Sequence, residues 1–233
     1  MNARADDALR ATAALFVAVL ITSNFLAAKL VGVAGLVVPA AVVVFPLSYI
    51  IGDVLTEVFG YAAARKTIWL GFACNLVAVA FTHLAIALPP AAPWTLPSFG
   101  DAVSAQRAFA ATLGSAPRIV AASLAAYLCG EFLNSLVLAK LKIATGGRFL
   151  WMRTIGSTLV GQLADSSVFI TIAFAGLVPG RVLRDIVFVQ WLVKVGIEAA
   201  ATPATYVVVR RLKRIVGVER YDRQVSMNPF RLG

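Results

Sequence analysis

Six long apolar segments, separated by short polar connections, constrain this chain more than any other feature of its sequence. They cover approximately residues 10–30, 38–57, 67–88, 118–138, 155–177 and 186–208. Each is close to the roughly 20 apolar residues that a helix needs to cross the hydrocarbon core of a bilayer. The pattern predicts an all-α polytopic membrane bundle of about six transmembrane helices.

The charge content leads to the same class of protein. Only 14% of the 233 residues are charged, whereas soluble domains carry about 25%. Six spans occupy about half of the chain and leave no room for a second soluble domain. We therefore expect one integral-membrane domain over residues 1–233, ending in a basic cytoplasmic tail at 209–233.

The net charge of +10 raises the question of nucleic-acid binding. The Lys and Arg residues, however, lie between the apolar segments and in the tail, where they orient helices and contact anionic lipid. With the N-terminus in the cytoplasm, inside segments carry fifteen of them and outside segments five. We expect a multi-pass inner-membrane protein with both termini inside, in contact with the bilayer and not with nucleic acid.

Two parts of the sequence are similar to each other, which predicts an internal repeat. The segment from Asn24 to Leu30 resembles the segment from Asn134 to Leu141, and Asp53 is echoed by Asp165 at nearly the same offset. Three helices on each side would form an inverted 3+3 repeat, a common transporter plan with its site at the repeat interface. Coincidence in a chain rich in Ala, Leu and Val is the alternative.

The sequence contains few of the residue patterns that are typical of enzymes. His83 is the single histidine, and Cys74 and Cys129 show no paired spacing, so neither a metal site nor a disulfide framework is indicated. No glycine-rich phosphate loop is present. We expect no catalytic residue, no metal and no cofactor, and any use of ATP would need a partner protein.

Polar side chains inside the apolar segments are the candidate site residues. A charge at the bilayer centre costs about 2.5–3.5 kcal/mol, so such groups face the bundle interior. In the second segment Phe45, Tyr49, Asp53 and Glu57 share one face at i+4 steps. For Glu57 the alternative is a salt bridge with Arg65 at headgroup level.

Two more sets of residues, each on one face of a helix and called stripes below, combine hydrogen-bonding groups with aromatic rings. Such a set suits a flat polar heterocycle, because rings stack on its face while polar groups bind its edge. Helix–helix hydrogen bonding is the alternative. In the sixth segment Lys194 and Glu198 form an i,i+4 pair that either neutralises itself or belongs to the site. The two stripes comprise Tyr127, Glu131 and Asn134 in the fourth segment and Thr158, Gln162, Asp165 and Phe169 in the fifth.

Two irregular blocks of the sequence resemble the queuosine precursor transporter family, which belongs to the vitamin uptake transporter group. The resemblance extends over about residues 20–210. The first block comprises Ser23-Asn24, Lys29, Phe45-Pro46-Leu47-Ser48-Tyr49, Asp53, Glu57, Gly60-Tyr61, Arg65-Lys66 and Trp69. The second comprises Gly147-Arg148, Leu150-Trp151-Met152-Arg153-Thr154, Ser157-Thr158, Gln162, Asp165 and Phe169.

The resemblance implies import of 7-cyano-7-deazaguanine (preQ0) and 7-aminomethyl-7-deazaguanine (preQ1) for queuosine salvage in tRNA. Asp165 or Glu131 would accept from the base N–H and amine, Gln162 or Asn134 would bind its carbonyl, and an aromatic ring would stack. The candidate substrate-binding residues are Asn24, Phe45, Tyr49, Asp53, Glu131, Asn134, Gln162, Asp165 and Phe169. The candidates for coupling or gating are Lys29, Glu57, Arg65, Arg153, Lys194 and Glu198.

Several alternatives remain open at this level. The chain could be the substrate-binding subunit of an ECF-type importer for a vitamin or nucleobase-like solute, which would require a separate ATPase module. An intramembrane enzyme or an assembly protein are further classes, disfavoured by the lone histidine and by the buried carboxylates, respectively. Proton-coupled and facilitated transport are both compatible with the residues, and a small six-helix transporter is often a homodimer.

Overall fold

The computed structural model describes residues 3–27, 29–33, 36–94, 100–114, 117–177, 179–217, 221–222 and 225–231. In these residues the chain is helical apart from one short hairpin, as the sequence predicted for the fold class. The elements are α1 (Ala3–Leu26), β1 (Leu30–Val33), β2 (Leu36–Pro39), a 3-10 turn (Ala40–Val43), α2 (Phe45–Val54), a π-helical turn (Leu55–Phe59), α3 (Tyr61–Ala87), α4 (Ala102–Leu113), α5 (Pro117–Ala144), α6 (Leu150–Phe174) and α7 (Gly180–Val216).

Five stretches of the described chain are long and apolar enough to cross a membrane. They are α1, α3, α6, α7 and the segment Ala102–Ala144, which contains α5. The remaining candidate, α2 with its π-helical turn, covers residues 45–59 and extends about 22 Å at 1.5 Å per residue, short of the roughly 30 Å hydrocarbon core. It packs against α1, α5 and α7 and lies in the bundle interior.

The predicted second helix, 38–57, is wrong in its first third. Residues 36–39 form the second strand of an antiparallel hairpin in which Leu30 pairs with Pro39 and Val33 with Leu36. Valine-rich sequence favours extended backbone. The helix begins at Phe45, because Pro46 lacks an N–H and has a fixed φ that suit only the first helical turn.

The other predicted helices exist, with shifted ends. Those at 10–30, 67–88, 118–138, 155–177 and 186–208 correspond to α1, α3, α5, α6 and α7. The largest difference is at the last of these, where α7 continues to Val216 and takes in the start of the predicted tail 209–233. Several residues of that tail, between 221 and 231, pack on α3.

The connection between the third and fourth predicted segments, residues 89–117, is not a loop throughout, because it contains α4. Asp101 caps this helix by accepting a hydrogen bond from the backbone N–H of Ser104 at 2.8 Å, and hydrogen bonds from Ser104 lower the pKa of the Asp101 carboxyl. Gln106 Nε2 donates to the Ile86 carbonyl at 2.7 Å. This bond holds α4 against the end of α3.

Two glycines allow α5 and α6 to cross in close contact. A Cβ atom placed on Gly161 would lie 2.7 Å from Asn134 Cβ and 2.9 Å from the carbonyl oxygen of Gly130. Small residues are the usual means by which membrane helices approach each other. The crossing brings the polar stripes of α5 and α6 together.

The variant Gly161→Ala is expected to separate α5 from α6 and to lower the melting temperature. Overpacking of this kind costs about 1–3 kcal/mol, which for a chain of this size corresponds to roughly 2–12 °C. Thermal unfolding of the solubilised protein measures the shift. Gly196→Ala in α7 is the control, since its Cβ would meet nothing within 4 Å; equal melting temperatures for the two variants would contradict the crossing.

Candidate functional site

Four buried carboxylates meet in the centre of the bundle, one from each of four helices. They are Asp53 of α2, Glu131 of α5, Asp165 of α6 and Glu198 of α7, none more than 6% exposed. We call this group the carboxylate cluster. The i+4 spacing predicted a polar face on each separate helix, and in the structure these polar faces lie toward one another.

Direct contacts link the cluster across helices. Asn134 Nδ2 donates to Asp53 Oδ1 at 2.8 Å, and Lys194 of α7 forms an ion pair with Asp165 of α6. The prediction that Lys194 pairs with Glu198 on its own helix is therefore wrong. Glu198 lies instead toward Thr158 and Gln162.

Two glycines make room for the cluster. A Cβ atom on Gly52 would lie 3.0 Å from Glu131 Oε2, and one on Gly130 would lie 2.8 Å from Asp165 Cβ and 3.2 Å from the Tyr49 hydroxyl oxygen. Larger residues here would displace the acidic side chains. Glu131 and Asp165 thus each lie against the backbone of a glycine.

Several buried polar atoms of the cluster have no hydrogen-bond partner among the described residues. A buried donor or acceptor left unsatisfied costs about 1–3 kcal/mol, so such a concentration indicates a place where a polar ligand or water completes the bonds. The atoms are Glu131 Oε2, Asn134 Oδ1, Thr158 Oγ1, Gln162 Oε1, Glu198 Oε1 and Glu198 Oε2.

A second cluster lies where α5 and α7 end and α6 begins, which we call the basic end. Glu57 is fully buried, and its Oε1 lies 2.8 Å from Arg153 Nη2, 2.7 Å from Lys213 Nζ and 3.5 Å from Lys142 Nζ. Lys142 Nζ also donates to the Glu57 carbonyl oxygen at 2.5 Å. The Glu57 carboxylate thus connects the π-helical turn to α5, α6 and α7 through ion pairs.

The C-terminal segment packs on the same end of the bundle. Asp222 Oδ2 accepts from the backbone N–H of Tyr61 at 3.0 Å, at the start of α3. Arg65 donates from Nη1 to two carbonyls of this segment, at 2.8 Å each. The alternative for Glu57, a salt bridge with Arg65, is therefore wrong, because Arg65 binds the C-terminal segment and Glu57 binds other cations.

A cavity of about 140 Å³ opens at the opposite end, between α1, α3, α5 and α6. Asn24 Nδ2 donates to Asn75 Oδ1 in its wall. We call it the amide cavity. Its polar and aromatic lining includes Asn24, Asn75, Thr82, His83, Ser123 and Phe169.

The predicted site residues thus divide among three levels of the bundle. Lys29 is exposed at the turn before the hairpin, and the side chain of Phe45 lies outside the described residues. The four members of the carboxylate cluster lie in the centre of the bundle together with Tyr49, Asn134, Gln162 and Lys194. The amide cavity contains Asn24 and Phe169, and the basic end contains Glu57, Arg65 and Arg153.

Sequence reasoning missed the partners that these residues require. Lys142 was assigned to a polar connection and Lys213 to the basic tail, yet both bind Glu57. Gly52 and Gly130 gave a signal, as small residues inside helices that also carry acidic groups. For Asp222 no pattern in the sequence indicated a contact with α3.

Comparison with known proteins was made on the sequence. Residues 39–208 match the family model described as "Putative vitamin uptake transporter". The chain is 30% identical over 187 residues to the "Probable queuosine precursor transporter" of Bacillus subtilis (strain 168), a match covering 80% of this chain and 78% of that protein. No solved structure matches the chain.

Proposed function

This chain belongs to the vitamin uptake transporter family, and from that premise we propose that it imports the queuosine precursors preQ0 and preQ1. It is a multi-pass membrane protein of a transporter family. The relative from Bacillus subtilis is named for a queuosine precursor. That name and the motifs in both halves of the chain support the same class of substrate here.

The observation that carries the proposal is the set of unpartnered acceptors in the carboxylate cluster. Glu131 Oε2 and Gln162 Oε1 are buried without hydrogen-bond partners in the described part of the chain. A 7-deazaguanine presents a ring N–H and an exocyclic amine side by side, and a carboxylate accepts from such donors. Because Asp165 is engaged by Lys194, we assign recognition of the base to Glu131.

The same proposal gives the direction of the bundle in the membrane. Lys142, Arg153 and Lys213 lie together at the basic end, with the C-terminal segment. Cytoplasmic segments of inner-membrane proteins are rich in such residues. The basic end then faces the cytoplasm. The shorter α2 with its π-helical turn carries the chain from the end of α1 back to the basic end, so with the five long stretches the chain crosses six times. Both termini are then inside, and the amide cavity opens to the outside.

Uptake of labelled preQ1 tests the function, in cells that lack both queuosine synthesis and their own importer. We expect the chain to restore uptake and queuosine-modified tRNA, with competition by preQ0 and no dependence on an ECF ATPase module. Absence of uptake from well-expressed, membrane-inserted protein would contradict the proposal. Loss of uptake only when the ATPase module is deleted would favour an ECF-type substrate-binding subunit.

A further inference from the structure

The amide cavity is separate from the carboxylate cluster. Along α5, Ser123 lines the cavity, Tyr127 is one turn further and Glu131 is one turn beyond that. Tyr127 donates from its hydroxyl to the Ile68 carbonyl at 2.8 Å, and its ring packs on Phe16 with the centroids 6.5 Å apart. Tyr127 therefore lies between the two polar sites, packed against α1 and α3.

The orientation of the two amides in the cavity wall follows from their hydrogen bonds. Asn75 Nδ2 donates to the Gly71 carbonyl at 3.0 Å, and a carbonyl can only accept. The oxygen of Asn75 must therefore point the other way, toward Asn24, which meets it with Nδ2. Asn75 is 3% exposed, so it serves as a fixed support.

After its bond to Asn75, the Asn24 side chain still has one N–H donor and one oxygen acceptor, the two groups needed to pair with the edge of a base. One N–H is used on Asn75, while the other N–H is available and the oxygen accepts no hydrogen bond within the described residues. A carboxamide with an acceptor and a donor side by side matches the carbonyl and N–H of a lactam edge. This edge is present in guanine-like bases.

The size and the far wall of the cavity suit a flat ring. Its volume of about 140 Å³ is close to the about 150 Å³ of a protein cavity that binds benzene. One ring of a bicyclic base fits inside, with the second at the open mouth. Phe169 lines the cavity and is held by an edge contact with Phe174, at a centroid distance of 6.4 Å.

We propose that the amide cavity is a first binding site for the base, in which Asn24 pairs with the lactam edge, Asn75 positions Asn24 and Phe169 stacks on the ring. The base reaches the carboxylate cluster only after Tyr127 moves. This inference rests on the proposed function, since it assigns a second site on the route of the same substrate.

Transport kinetics provide the first test. Asn24→Ala and Asn75→Ala are expected to raise the KM for preQ1 uptake about tenfold, a loss of one hydrogen-bonded contact, with the maximal rate within twofold of the unchanged chain. Asn24→Gln keeps the amide and is expected to retain part of the affinity. Asp185→Asn is the control, because it changes an exposed side chain of α7 that does not line the amide cavity.

Thiol labelling provides a second test that does not need turnover. In a transport-competent chain with Cys74 and Cys129 replaced by Ala, Ser123→Cys places a thiol in the amide cavity. PreQ1 is expected to slow its labelling by a maleimide at least threefold, also when Glu131→Gln is present, and Asn24→Ala is expected to abolish this protection. Labelling of Ala91→Cys, on an exposed connection, is expected to be independent of preQ1.

The outcomes separate this inference from the proposed function. If the unchanged chain does not take up preQ1, the proposed function is wrong. If it does, but Asn24→Ala has an unchanged KM or Glu131→Gln removes the protection of Ser123→Cys, the amide cavity is not a separate site. Membrane levels of each variant, measured with a fluorescent fusion, exclude loss of folded protein as the cause.

Discussion

Replacing Glu57 by Gln is expected to remove most of the folded protein from the membrane. The Glu57 carboxylate contacts Lys142, Arg153 and Lys213 and is completely buried. Removing one partner from a buried ionic group costs about 3–5 kcal/mol, and here Lys142 and Arg153, each about 1% exposed, would lose the carboxylate that they contact. Total stabilities are about 5–15 kcal/mol, so this loss is a large part of the whole.

Size-exclusion chromatography of the solubilised variant, with a fluorescent fusion, measures the amount of monodisperse protein and its melting temperature. Asp185→Asn is the control, since it makes the same chemical change on an exposed face of α7. An unchanged melting temperature for Glu57→Gln would show that the cations at the basic end do not depend on this carboxylate.

Replacing Glu131 by Gln is expected to have the opposite effect to Glu57→Gln: the amount of folded protein is retained, and uptake of the substrate is lost. Glu131 Oε2 has no partner among the described residues, so the change breaks no protein contact at this oxygen and places a neutral group in the interior. Hydrogen bonds to a charged group contribute about 1.5–3 kcal/mol. If the base makes such bonds, uptake falls roughly 10- to 150-fold.

Initial rates of preQ1 uptake, normalised to the amount of protein in the membrane, measure this effect. Asp185→Asn again serves as the matched control, with uptake expected at the level of the unchanged chain. Normal uptake by Glu131→Gln would reject the assignment of this carboxylate to the base and would direct attention to Glu198, the carboxylate of the cluster that lies toward Thr158 and Gln162.

Helical spacing predicted the polar faces well. Asn134 and Gln162 were placed on stripes with Glu131 and Asp165, and these side chains are buried in the centre of the bundle. The reason is physical: a charged or amide group in an apolar helix must turn away from lipid. The spacing therefore determines the inward face of each helix, while the role of each side chain in transport remains a prediction.

Spacing could not predict which helices meet. A pair between Glu57 and Arg65 at headgroup level was one of the two interpretations of Glu57, whereas its partners Arg153 and Lys213 come from α6 and α7. Such pairings depend on helix crossings, which are decided by contacts between small residues such as Gly130 and Gly161. A single sequence carries no information on distance across the bundle.

The basic composition of the tail 209–233 also led to an incomplete prediction for this segment. Lys and Arg at a terminus are typical of a solvated segment near lipid headgroups, and this expectation did not include Asp222 or the backbone carbonyls that Arg65 binds. A carbonyl group has no signature in the sequence. Contacts of this kind become visible only in three dimensions.

The contact between Arg65 and the C-terminal segment has a consequence for the order of events during synthesis. Arg65 is 163 residues ahead of Asn228, whose carbonyl it binds. At about 5–20 residues per second, roughly 8–30 s separate the emergence of α3 from that of its partner. During this interval the guanidinium lacks its final acceptors, so the contact forms only after α7 and the C-terminal segment have been synthesised. Prematurely terminated chains would expose this end of α3 and would be preferred targets of membrane proteases.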